Sequence, residues 1–76
     1  MELPLEEARE VWTDAKCFFQ GDMSHSDLEE RIKAVGFSKR NRLLAVIFIV
    51  RENAIRIISA RKAAAAEEAA YAKNFR

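Results

Sequence analysis

The apolar positions change their period along this chain, and each change predicts an element. Leu5, Ala8, Val11 and Trp12 recur at helical spacing behind Pro4, with Glu6 and Glu7 in the first turn, and predict a short amphipathic helix over LEEAREVWTDA. The aromatic run Lys16 to Gln20 (KCFFQ) predicts a strand that stops at Gly21, and DMSHSD from Asp22 to Asp27 is rich in turn formers and predicts a loop. Between Leu28 and Phe37 two patterns compete. Arg31, Ile32, Lys33, Ala34 and Val35 alternate charged and apolar, whereas Ser26 followed three residues later by Glu29 has helix-capping spacing. Gly36 and the SKRN cluster favour a strand from Glu30 that ends in a hairpin corner.

Leu43 to Val50 is apolar at every position and largely β-branched, as expected of a central strand covered on both faces. After a turn at Arg51, Glu52 and Asn53, strict alternation would place Ile55, Ile57 and Ser59 on one face and Arg56, Ile58 and Ala60 on the other. These two runs predict a hairpin. From Lys62 the run AAAAEEAAYAKNF has high helix propensity, with Ala63, Ala66, Ala70 and Tyr71 or Phe75 placed to meet the sheet that such a helix needs for stability. The expected class is α+β: an N-terminal helix, a mainly antiparallel sheet of three to four strands, and a C-terminal helix.

A chain of 76 residues predicts one domain over 1–76 that buries about 60 to 65% of its unfolded surface, so its stability should be modest unless a partner helps. The longest apolar run is far short of the roughly 20 residues that cross a bilayer, and MELPLEEARE is acidic where a signal peptide is basic, which predicts a cytoplasmic protein. Cys17 is the only cysteine and is expected to be a buried structural thiol, and no residue cluster predicts a metal or cofactor. The net charge of +1 conceals an uneven distribution. The first 30 residues hold nine acidic and two basic side chains, whereas Arg31 to Lys62 holds nine basic and one acidic. A basic middle points to an anionic partner, against the plainer account that Lys and Arg keep strand edges and turns soluble.

Arg56, Ile57, Ile58, Ser59, Ala60, Arg61, Lys62, Glu67 and Tyr71, preceded by His25, Ser26, Glu30, Arg31, Gly36, Ser38 and the run Arg42 to Val50, resemble the BrnT family of bacterial toxins over about Leu5 to Tyr71. The resemblance implies an endoribonuclease toxin of a type II toxin–antitoxin pair, a RelE-like fold, and neutralisation by a co-produced antitoxin. It also implies an N-terminal strand and helix, ending in a Lys-His-Gly-like turn, that would precede the segment starting here at Leu5. Without that strand the sheet would have an open edge, to be covered by a homodimer or by the antitoxin. The alternative is a toxin-like protein without cleavage activity that acts as an antitoxin-binding or regulatory partner. The Ala-rich stretch from Ala64 to Ala70, where the family is commonly basic, favours it.

Metal-independent RNA cleavage requires a proton acceptor for the 2′-hydroxyl, cations around the phosphate, and an acid for the leaving oxygen. Arg61 at the strand end and Arg56 on the same strand are the expected catalytic cations, because a guanidinium holds two phosphate oxygens and keeps its charge. Arg31, Lys39, Arg40, Arg42 and Lys62 are expected to contact RNA. Tyr71 could stack on a base, donate a proton, or simply pack the helix onto the sheet. His25, the only histidine, is the one side chain that titrates near neutrality, and it reads either as a catalytic group or as a turn residue. Glu67 is explained by helix solubility and i to i+4 pairing. An Arg61→Ala exchange is expected to slow cleavage and leave the thermal midpoint nearly unchanged.

Overall fold

A computed structural model describes residues 4–22 and 31–73. The element order is helix α1 (Leu5–Arg9), a 3-10 turn (Glu10–Thr13), strands β1 (Phe18–Asp22), β2 (Arg31–Phe37), β3 (Leu43–Arg51) and β4 (Ala54–Lys62), and helix α2 (Ala65–Lys73). The strands form one antiparallel sheet in the order β1-β2-β3-β4, so β3 is central and β4 is an edge. The class is α+β, as the hydrophobic pattern predicts. The first helix is shorter than its pattern implies: it tightens at Glu10, and the Asp14 amide donates to the Val11 carbonyl at 3.2 Å where the chain turns extended. The last helix begins three residues later than expected, because β4 continues through Lys62 and the Ala63 amide still donates to the Leu43 carbonyl at 2.9 Å. The strand expected from Glu30 is seen from Arg31, since Glu30 lies outside the described residues.

Two cores lie on opposite faces of the sheet. Ala8 and Val11, with the half-buried Trp12, pack on Ala34, Leu44, Val46, Phe48 and Ala60. Trp12 meets Phe48 edge-on, with ring centroids 5.2 Å apart. On the other face Tyr71 of α2 packs on Val35 and Ala45, with Phe18, Phe37 and Leu43 around them. The apolar run of β3 is explained by this arrangement, since its even positions face α1 and its odd positions face α2. Gly36 lies at a close approach: a Cβ there would sit tightly, 3.1 Å from the Val11 carbonyl oxygen and 3.2 Å from Cys17 Cβ.

The β2–β3 corner is tied to α1 by buried charge. Glu7 accepts from Ser38 Oγ at 2.8 Å and from Arg42 Nε at 2.8 Å, and Arg42 Nη2 donates to its second oxygen. Glu10 adds a bond from the Lys39 amide at 2.9 Å. The Arg42 hydrogen bonds hold the Glu7 carboxyl below the usual carboxylate range in spite of its burial. The β3–β4 turn has positive φ at both Glu52 (55°) and Asn53 (66°), the backbone of a tight hairpin turn, entered here without glycine.

One departure from the expected alternation matters for the site. Ile47 pairs with Ser59 and Phe48 pairs with Ile57, so Ile58 is an extra residue, a β-bulge in β4. Beyond the bulge the faces exchange. Ile57 joins Ala60 on the α1 side, where strict alternation would have separated them.

Candidate functional site

The same bulge assembles the basic face. Arg56 pairs with Ile49 and Arg61 with Ala45, four residues apart on β3 and therefore on one face of the sheet. Residues five apart in a regular strand would point in opposite directions. Across β2, β3 and β4 this face reads in three rows: Arg31, Ile49, Arg56; then Lys33, Ile47, Ser59; then Val35, Ala45, Arg61. Two positions of strand separate successive rows, so the rows span about 13 Å. Helix α2 covers the third row through Tyr71. Arg56, Ser59 and Arg61 are exposed, and Arg31 and Lys33 are half-buried.

Glu67, near the start of α2, binds the middle and last rows together. Arg61 donates through both terminal nitrogens to the two carboxylate oxygens, at 2.7 and 2.8 Å, and Lys33 Nζ donates to Oε2 at 2.7 Å. The Ala64 amide donates to Oε1 at 2.7 Å, which caps the helix from its third position. Arg61 hydrogen bonding, against the opposing effect of burial, pulls the Glu67 pKa down to about 2, with Lys33 and the Ala64 amide adding to it. Glu67 is 6% exposed, so an anion sits beneath two cations on a solvent-facing surface. Chemically, such an arrangement offers guanidinium and ammonium groups in fixed positions for phosphate oxygens, and a carboxylate whose proton affinity depends on its partners. Among the described residues no group of three or more His, Cys, Asp and Glu side chains is placed to hold a metal ion.

Residues 2–67 match the family described as the ribonuclease toxin BrnT of type II toxin–antitoxin systems. The chain belongs to the BrnT family. No curated protein matches it. The match spans the basic rows and ends at Glu67, so the BrnT-family stretch contains Arg31, Lys33, Arg56, Arg61 and Glu67, and Tyr71 lies beyond it.

Of the residues expected to act in a BrnT-family protein, the structure brings Arg31, Arg56 and Arg61 onto one face. Lys62 pairs with Leu44 and therefore belongs to the opposite face, and Lys39, Arg40 and Arg42 lie at the β2–β3 corner, where Arg42 is paired with Glu7. Tyr71 is 6% exposed, its ring between Phe18 and Phe37, and its hydroxyl donates to Asp14 Oδ2 at 2.5 Å. Burial and the adjacent Asp14 carboxylate push the phenol pKa far up. Burial also raises the Asp14 carboxyl, but bonds from the Phe37 amide, Tyr71 and the Lys16 amide outweigh it and leave the pKa below its ordinary value. Burial raises the Cys17 thiol to about 11, with Asp14 contributing. His25 lies outside the described residues. Two members of the site were not nominated from sequence: Lys33, although its i, i+2 spacing from Arg31 already placed both on one strand face, and Glu67, whose tertiary partners carry no local signal.

Proposed function

We propose that the three-row face binds single-stranded RNA and cleaves it without a metal. In this reaction the 2′-hydroxyl gives its proton to a base as its oxygen attacks the adjacent phosphorus, the O2′–P bond forms, the P–O5′ bond breaks, and the leaving 5′-oxygen takes a proton from solvent, so the products end in a 2′,3′-cyclic phosphate and a 5′-hydroxyl. The carrying observation is the convergence of Arg61 and Lys33 on Glu67 beside Arg31 and Arg56. Arg61 and Lys33 neutralise the charge that gathers on the phosphate oxygens. A phosphate that draws Arg61 away removes the largest influence holding the Glu67 pKa down, and the carboxylate gains basicity beside the 2′-hydroxyl it would deprotonate. Arg31 and Arg56 hold the neighbouring backbone. The burial of Tyr71 and its bond to Asp14 support a packing role for that residue.

The pairing of Arg61 with Glu67 also favours a second reading, in which the cation is already neutralised and the chain serves only as an antitoxin-binding partner. One experiment separates the two: incubate the purified chain with a labelled single-stranded RNA in chelator and identify product ends. The active reading expects cyclic-phosphate ends in chelator and a rate lowered about 30-fold or more by Arg61→Ala, corresponding to about 2 kcal/mol of transition-state stabilisation. No cleavage by the unaltered chain would overturn the active reading, and equal rates in the variant would remove Arg61 from the mechanism.

A further inference from the structure

Along the edge strand β4 and the first helix runs a groove of about 600 Å³ lined by Leu5, Arg9, Trp12, Ile55, Arg56 and Ile57. Its rim is unusually apolar for a surface: Leu5 is 60% exposed and Ile55 52%, with Val50, paired to Ile55, at 56%. Patches of this kind mark sites of association. The lining contains two arginines and no carboxylate. Alongside runs the outer edge of β4, nine residues that carry Arg56, Arg61 and Lys62 and no acidic side chain.

Charge selects among occupants. A second copy of this chain paired β4 to β4 would add three more cations to this edge and no carboxylate from its own β4 to meet them. We propose that this groove receives an acidic amphipathic segment of the antitoxin, laid along β4 as an added strand. Its apolar side chains enter between Leu5, Trp12, Ile55 and Ile57, and its carboxylates meet Arg9 and Arg56. The proposal rests on the antitoxin partner that the family implies. It also supplies a route to neutralisation, since Arg56 both lines the groove and stands in the first basic row. A carboxylate that engages Arg56 withdraws a cation from the RNA face.

The test titrates the purified cognate antitoxin into the unaltered chain and into Leu5→Glu, Arg9→Glu, Ile55→Glu and, on the exposed side of α2, Ala69→Glu. All four positions are exposed, so the variants should fold, and a thermal melt of each verifies it. Each groove variant is expected to weaken binding about tenfold or more and Ala69→Glu less than about twofold, while β4 amides gain hydrogen-exchange protection in the complex. Ribonuclease activity is read in parallel: groove variants should cut RNA as the unaltered chain does and escape inhibition. Unchanged affinity in the groove variants, protection confined to β1 or α2, or no antitoxin binding by the unaltered chain would each overturn the proposal. An unaltered chain that binds antitoxin along β4 yet cuts no RNA would refute the ribonuclease reading and support this one.

Discussion

Glu67 grips Arg61 through both carboxylate oxygens, at 2.7 and 2.8 Å, although the two residues sit on different elements and only Glu67 is buried. The side chain proposed to meet the phosphate therefore also neutralises a buried anion. Arg61→Ala consequently has two effects where the sequence leads one to expect a single one. Beyond slowing cleavage it should lower stability by roughly 1 kcal/mol, or about 4 to 8 °C in Tm, because Glu67 keeps Lys33 and the Ala64 amide but loses its strongest partner. Arg61→Lys should recover part of the stability and little of the activity, since an ammonium cannot make the paired contact. Melting curves beside rate measurements check this, and an unshifted midpoint in Arg61→Ala would show that the pair contributes nothing to folding.

Glu67→Gln separates binding from proton transfer. The amide keeps the shape and frees Arg61 and Lys33 from their counter-charge, so RNA should bind more tightly while turnover falls about a hundredfold, the lower end of what a general base contributes. Binding isotherms with a 2′-deoxy substrate and single-turnover rates measure the two quantities apart. Turnover that is unchanged would exclude Glu67 as the proton acceptor.

Acid should unfold the protein through a defined group of carboxylates. Glu67, Glu7 and Asp14 all have folded-state pKa values below their unfolded ones. A depressed carboxylate stabilises the fold above its unfolded pKa, and that contribution disappears as pH falls through the folded value. For Glu67 the window runs from its ordinary 4.5 down to about 2. Tm measured from pH 6 to pH 2 should hold steady at first and fall below about pH 4.5, with a shallower fall in Glu67→Gln. A flat profile over that range would contradict the ion-pair geometry.

Tyr71→Phe tests the packing role of the tyrosine. The exchange removes the bond to Asp14 and leaves the ring contacts with Phe18 and Phe37. It should cost about 1 kcal/mol of stability and change the rate of cleavage less than about threefold under conditions where both proteins are folded. A rate loss of a hundredfold without a change in Tm would instead put the phenol at the reacting phosphate.

Local chemistry determined much of this protein from sequence alone. The apolar run of β3, the hairpin after it, the alanine-rich α2 and the short first helix follow from periodicity and propensity, which act over a few residues and are visible in any one of them. The same run predicts that β3 is central and covered twice. Tertiary structure decided how those elements present their charges. Period-two reasoning puts Arg56 and Arg61 on opposite faces, and the extra residue Ile58 reverses that, because a bulge answers to the pairing of β4 with β3 and leaves no mark in the hydrophobic pattern. Lys33, Arg61 and Glu67 meet across two strands and a helix, and Asp14 meets Tyr71 across 57 residues of chain. Such contacts depend on the distance between folded elements, a quantity that spacing along the chain does not encode.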